Sequence, residues 1–309
     1  MATNFPNGLA SRGIPLPAGP VMPLTKGTVF HVDSGHGQAN TGNSGKKPGQ
    51  PLSTLDSAIG KCTANNGDVI LVSEGHSETY TAAGDLTLDV AGVTIIGLGI
   101  GDARPTFLLD AATTCDIDVT AADIKIINCR FGFGHADVVE GFDLSAAGFT
   151  LEDVEFYDNA ASENVVDFIK TAGDNTCDRL SLIRVRAISP DTGNDALVEV
   201  NGDLDQLTIV DSFISLGTQD SEAIVSVASG KDLTNAYIVG NAFYRLNTAG
   251  DIVVDSDTAN NSGIVAHNYT GHADTGSEIP FDITGARLFE NYSTAANDTS
   301  GYILPAVDS

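Results

Sequence analysis

The residues best suited by type to do chemistry recur at one position of a repeating pattern. Two places after the second residue of a short apolar pair stand Asn128, Asp153, Arg184, Asp211 and Gly240. If each repeat is one turn of a stacked β-structure, successive positions lie about 4.8 Å apart, which puts Asp153 and Asp211 roughly 10 Å apart with Arg184 between them. That separation is at the edge of the spacing an inverting glycosidase gives its acid and base. A solvated Asp–Arg–Asp ladder of ion pairs accounts for the same three residues, so the pattern assigns no catalytic residue. Lyase chemistry would need clustered calcium-binding acids and a base to take a proton beside a carboxyl-bearing carbon. Arg184 and Arg186 lie near Asp178 and Asp153 in sequence, but in no recognisable lyase motif.

The other reactive side chains are dispersed. His31, His36 and His76 fall early in the chain, and His135, His267 and His272 are scattered, with no HxH or HExxH pairing; they read as solvated or turn histidines. Asp174–Asp178 and Asp255–Asn261 offer oxygen ligands without the spacing of an EF-hand loop, so no metal site and no cofactor is expected. Cys62, Cys115, Cys129 and Cys177 contain no CxxC pair and read as buried, reduced thiols. Trp is absent, which leaves Tyr80, Tyr157, Tyr237 and Tyr244 as candidates for the flat platforms that carbohydrates stack on.

The elements that carry these residues are repeats. From Val93 onward, two apolar residues flanking a third are followed, five places after the second, by a larger apolar residue: Ile124-Lys-Ile126 with Phe131, Phe149-Thr-Leu151 with Phe156, Leu207-Thr-Ile209 with Ile214. Leu180-Ser-Leu182 fits with Ala187, and Tyr237-Ile238 with Phe243 and Gly263-Ile264 with Tyr269 extend the series. The second apolar positions, 95, 126, 151, 182, 209, 238 and 264, step by 25 to 31 residues, the length of one solenoid turn. The stretches are short, alternating and rich in Val, Ile, Thr and Phe, and Gly, Asn and Asp clusters separate them, so they predict strands. The expected fold class is all-β: a right-handed parallel β-helix of about seven to nine coils, roughly 35–45 Å long. Ile126, Leu151, Leu182, Ile209, Ile238 and Ile264 should form one internal ladder. Asn268-Tyr-Thr and Asn291-Tyr-Ser read as equivalent turns of successive coils.

Four segments follow. Residues 1–26 contain five prolines and form an extended arm, since each proline fixes φ and removes an amide donor. Phe5, Pro6, Ile14, Pro15, Leu16, Val21 and Met22 are its candidate partner-binding residues, too apolar for an idle solvated tail. The alternative is an arm folded back on its own domain. Residues 27–92 make an opening module: a strand at Thr28–Val32, a Gly/Asn/Ser-rich loop, a short capping helix with Ser53 or Thr54 at its start and a stripe of Leu55, Ala58, Ile59 and Cys62, then a strand at Asp68–Val72. Residues 93–295 are the coils and 296–309 a loose or partner-bound tail.

The 309 residues carry 41 acids against 15 bases, a formal charge of −26 that repels phosphate backbones and anionic lipid and argues against nucleic-acid binding. No window approaches 18 uninterrupted apolar residues, so no membrane span is expected, and Met1–Thr25 lacks the apolar core of a secretory signal.

Val29–Gly37, Asn40–Lys47, Pro51–Ile59 and Gly67–Val72 resemble the opening module of pectate-lyase-like β-helix proteins, and Asp89–Gly97 with Arg104-Pro105 is similar to that family's first full coil. Together with Asn4-Phe-Pro-Asn-Gly8 and Gly13-Ile-Pro15, the module resembles virion structural proteins of tailed bacteriophages. The resemblance implies a non-enzymatic protein made in the host cytoplasm and displayed on the virion surface, most simply a capsid decoration protein. Its partners would be other virion proteins, above all the major capsid protein, with a homo-oligomer, preferably a trimer, as its assembly. A polysaccharide lyase or glycosidase is the alternative, and a glycan-binding tail or baseplate adhesin the third reading.

Overall fold

The computed structural model describes residues 25–111, 115–218, 223–246, 253–256, 258–272 and 281–293, with the short strands Ala10–Ser11, Ile14–Pro15 and Tyr302–Leu304. The chain winds as a parallel β-helix whose coils contribute strands to three long sheets. Face 1 stacks ten strands from Val29–Val32 to Ala286–Phe289. Face 2 runs from Ser77–Tyr80 to Asn291–Ser293, and face 3 from Thr87–Leu88 to Phe281–Ile283.

The repeat follows from where the backbone must turn. Face 1 is bracketed by two columns of residues with left-handed backbone. One precedes the strand and includes Asp123, Arg179, Gln206 and Asn235; the other follows it and comprises Asn128, Asp153, Arg184, Asp211, Gly240, His267 and Glu290. Asn, Asp and Gly tolerate positive φ best, which explains the recurring Asn, Asp and Gly at the position singled out above without any appeal to catalysis. Between the columns, Phe30, Ile70, Ile95, Ile126, Leu151, Leu182, Ile209 and Ile238 stack in register, all buried. Five residues on, Phe131, Phe156, Ala187, Ile214 and Phe243 form the matching inner column of face 2.

The ladder departs from expectation at Ile264. Ile238 pairs with Val265, which is fully buried, whereas Ile264 pairs with the exposed Tyr237 on the outside. Gly263-Ile-Val-Ala266 has no polar residue to mark its outer side, and a one-residue slip turns a strand's faces over. The same slip puts Thr270, not Tyr269, inside.

A core of phenylalanines fills the early coils. Phe131, Phe133, Phe142, Phe149, Phe156 and Phe168 make mutual ring contacts with centroids 4.9–6.4 Å apart. In the later coils a buried polar column takes over at the corner between faces 1 and 2. Asn241, Asn268 and Asn291 each donate through Nδ2 at 2.8 Å to a carbonyl of the coil below, of Ile209, Ile238 and Val265 respectively. Asn268 and Asn291 are thus equivalent turns of successive coils, as their shared Asn-Tyr sequence predicts.

The N-terminal end is closed by the α-helix Leu55–Ile59, capped by Thr54, whose hydroxyl accepts from the Ser57 amide. The helix stops before Cys62, whose thiol instead donates to the Ala58 carbonyl at 3.3 Å. His76, expected at the surface, is buried. Its Nδ1 accepts from the Ser34 amide at 2.9 Å, which fixes the proton on Nε2, and Nε2 donates to Glu78 at 2.7 Å. Glu78 also accepts the Leu55 amide at 2.6 Å, so one buried network ties loop, helix and face 2 together. Burial would raise the Asp68 carboxyl, but hydrogen bonds from Thr28, Thr63 and Asn66 hold it below the usual range.

Of the predicted arm residues, Phe5, Pro6, Leu16, Val21 and Met22 lie outside the described residues. Ile14 and Pro15 pair antiparallel with Ser11 and Ala10, a short hairpin where a single extended run was expected. Thr25 anchors the start of the solenoid by donating to the Gly67 carbonyl and accepting from the Gly27 amide. At the other end, Tyr302–Leu304 of the predicted loose tail pairs antiparallel with Asn291–Ser293. Among the described residues no helix is long and apolar enough to cross a membrane.

Candidate functional site

The charged residues gather where face 1 turns into face 2. Glu152 ends a face 1 strand, Asp153 occupies the left-handed turn, and Glu155 begins the next strand on face 2. Arg184, one coil above, forks onto Asp153 with Nε–Oδ1 of 2.7 Å and Nη2–Oδ2 of 2.9 Å, and also reaches Glu152. Lys125, one coil below, pairs with Glu152 as well. Glu155 receives three guanidinium groups: Arg104, Arg130 through Nε at 3.1 Å, and Arg186 through Nη1 at 2.7 Å. Arg130 in addition lies 4.6 Å from the centre of the Tyr157 ring and 3.2 Å from Asp102.

The chemical consequence is mutual neutralisation. The hydrogen bond from Lys125, opposed by burial and helped by Arg184, holds Glu152 below the usual carboxylate range. The bonds from Asp153 and Glu152 push the Arg184 guanidinium further up, so it keeps its proton. The structure does place Arg184 between Asp153 and Asp211 along the stack, but its bonds run to Asp153 and Glu152 alone of the neighbouring acids, and among the described residues Asp211 makes no ion pair.

Two features escaped the sequence. On face 3, Asp118 pairs in register with Asp143 of the next coil, and carboxylate oxygens of Asp116, Asp118 and Asp143 lie within 4.8 Å of one another. Burial, then Asp118, Glu140 and Asp143, push Asp116 up to about 6. Further along this face Lys170 bridges Glu140 at 3.1 Å and Asp167 at 3.2 Å, while Oδ1 of the buried Asp167 has no partner; burial pushes Asp167 up to about 7. On face 2, an open depression of about 330 Å³ is lined by Tyr157, Asp158, Ala160, Arg186, Ile188 and Pro190. Asp158 accepts from Ser189 Oγ at 2.6 Å, and burial raises it to about 6. A one-coil offset of 25 residues joins Asp118 to Asp143, a signal legible only once the register is known.

The remaining candidates are structural. The four cysteines are free, and burial pushes Cys62 and Cys129 up to about 12 and Cys115 to about 11, which keeps them protonated and inert. Asp174 bonds Lys231 at 2.7 Å, and Asn261 is buried, accepting from the Leu233 amide. Tyr80 is also buried, stacked on Phe107, and presents no platform.

A carboxyl raised in the fold binds its proton more tightly there than in the unfolded chain. It therefore supports the fold below its unfolded value and withdraws that support as pH rises through its folded value. Asp167 is the largest such case, so the thermal midpoint should rise when pH falls from about 8 to about 6. Asp167→Asn should stabilise the protein by about 2 kcal/mol at the upper pH and flatten the profile. An unchanged slope in the variant, read by thermal melts across that range, would remove Asp167 from this role.

No protein-family model and no curated protein matches the sequence. Among solved structures, a rhamnogalacturonan lyase is similar to 90% of this chain and over 79% of its own length, with a TM-score of 0.48 and 9% sequence identity.

Proposed function

We propose that this chain is a non-enzymatic structural protein of a tailed-phage particle, a stiff acidic β-helix mounted on the virion surface through residues 1–26, most simply on the major capsid protein and as a trimer. The observation that carries the reading is the use made of the charged side chains. Arg104, Arg130, Arg184, Arg186 and Lys125, a third of the chain's 15 bases, tie one coil to another through Glu152, Asp153 and Glu155. Such ties favour a load-bearing role over proton transfer. The solenoid also has its own continuous core, so it folds without the arm.

The depression beside Asp158 favours a second reading, a polysaccharide lyase or glycosidase, because it sets a carboxyl raised by burial at the wall of an open groove. One set of variants separates the two. Deleting residues 2–24, which spares the Thr25 anchor, should leave β-content and thermal midpoint nearly unchanged but abolish binding to particles, and the intact protein should release no sugar from host polysaccharide. Depolymerisation that disappears in Asp158→Asn, Asp153→Asn or Asp211→Asn would put the enzyme first; full particle occupancy by the truncated protein would remove the arm as the attachment device.

A further inference from the structure

Above the charged cluster, the outer surface of face 2 changes character. Its outward positions become Phe213, Ala242, Tyr269 and Tyr292 in one column, paired coil to coil. Phe213 and Tyr269 are each 39% exposed and Tyr292 48%. Ala242 leaves a gap in this column, and Tyr244 from the neighbouring column leans into it, with its ring centre 5.5 Å from Phe213 and 5.7 Å from Tyr269. Tyr244 lies across Gly271 of the next coil, where a Cβ would come within 2.5 Å of the ring. Glycine there lets the ring rest against the sheet. The result is a run of aromatic rings on a rigid backbone, about 14 Å long at one coil per step.

We propose that this stripe binds an uncharged linear glycan, laid along the helix axis with its sugar rings stacked on Phe213, Tyr244, Tyr269 and Tyr292. The ring faces match the apolar faces of pyranoses, and the hydroxyls of the three tyrosines supply donors and acceptors for sugar hydroxyls at the rim. Charge selects the ligand. The stripe itself is formed by aromatic residues and Ala242, the arginines of the charged cluster are held by Glu155 and Asp153, Arg245 of the same face is buried, and the net charge of −26 repels polyanions. Size argues against a second copy of the chain as occupant. Three rings of about 200 Å² each, exposed by about two-fifths, with the half-buried Tyr244 adding less, offer on the order of 300 Å², less than half of the roughly 800 Å² per partner that a stable interface buries. The site goes beyond the structural role proposed above and is compatible with any mounting on the particle.

The chain has 7 Tyr and no Trp, and three of the seven lie in the stripe, so tyrosine fluorescence carries a contribution from it. Titration of the full-length protein with cellohexaose, chitohexaose, maltohexaose and, as the charged comparator, an oligogalacturonate of equal length should show binding of at least one neutral sugar with Kd below about 1 mM. Tyr269→Ser should weaken that binding about tenfold or more without moving the thermal midpoint, and Tyr269→Trp should retain or tighten it, read by calorimetry because the new indole alters the fluorescence. The proposal is overturned if no neutral sugar binds at about 10 mM, if the oligogalacturonate binds more tightly, or if Tyr269→Ser leaves affinity unchanged. If Tyr269→Ser instead dissociates a concentration-dependent oligomer and leaves sugar binding alone, the stripe belongs to a second copy. Particle occupancy, measured in parallel, tests the structural reading independently.

Discussion

Replacing Phe156 by Ala is expected to lower stability by about 4 kcal/mol. The ring is fully buried and lies 5.4–6.4 Å from Phe131, Phe133, Phe142 and Phe168, so its loss opens a cavity lined by four other aromatic side chains. The neighbour above cannot close the gap, because the next residue in the inner column is Ala187. Two small rungs would then follow one another between Phe131 and Ile214. Chemical denaturation should show the midpoint fall with little change in slope, and a loss under about 1.5 kcal/mol would mean that the early coils collapse onto the cavity.

Asn268→Ala should cost about 3 kcal/mol through a different mechanism. Asn268 donates to the Ile238 carbonyl and to Asn291 Oδ1, while its own Oδ1 accepts both the backbone and the side-chain amide of Asn241. Truncation leaves these buried groups without partners on both sides of the vacated rung. Buried and unpaired polar groups are costly in a way that a lost exposed contact is not. Hydrogen exchange should localise the damage to the amides of residues 238–241 and 265–268, and exchange that stays slow there would show that the polar column is dispensable.

The fold was legible in the sequence wherever the outer side of a strand carried a polar residue. Lys125, Thr150, Ser181 and Thr208 mark the solvent side of face 1, so Ile126, Leu151, Leu182 and Ile209 fall into place. Where the mark is missing, as at Gly263–Ala266, sequence favours the larger Ile264 and Tyr269, and tertiary packing chooses Val265 and Thr270. The charged cluster was half legible. The Asp153–Arg184 contact follows from the repeat, but Arg104 reaches Glu155 across 51 residues because it spans two coils, Thr106, Arg130 and Glu155 standing in register. The aromatic stripe stayed hidden for another reason: Phe213, Tyr269 and Tyr292 line up only when the slip at Ile264 is corrected.

A stack of near-identical coils faces a hazard during folding, since a coil docked one step too early still finds strands to pair with. The corner column between faces 1 and 2 changes chemistry along the stack: Cys129, Val154 and Val185 are apolar, Ser212 is mixed, and Asn241, Asn268 and Asn291 are amides. A misplaced docking would set an amide against a valine and forfeit the bonds from amide to amide along the column, and each such mismatch raises the energy of the shifted arrangement. The column therefore works as an address written into the interior, giving successive coils a means of recognising their proper neighbours while the backbone pairing remains the same throughout.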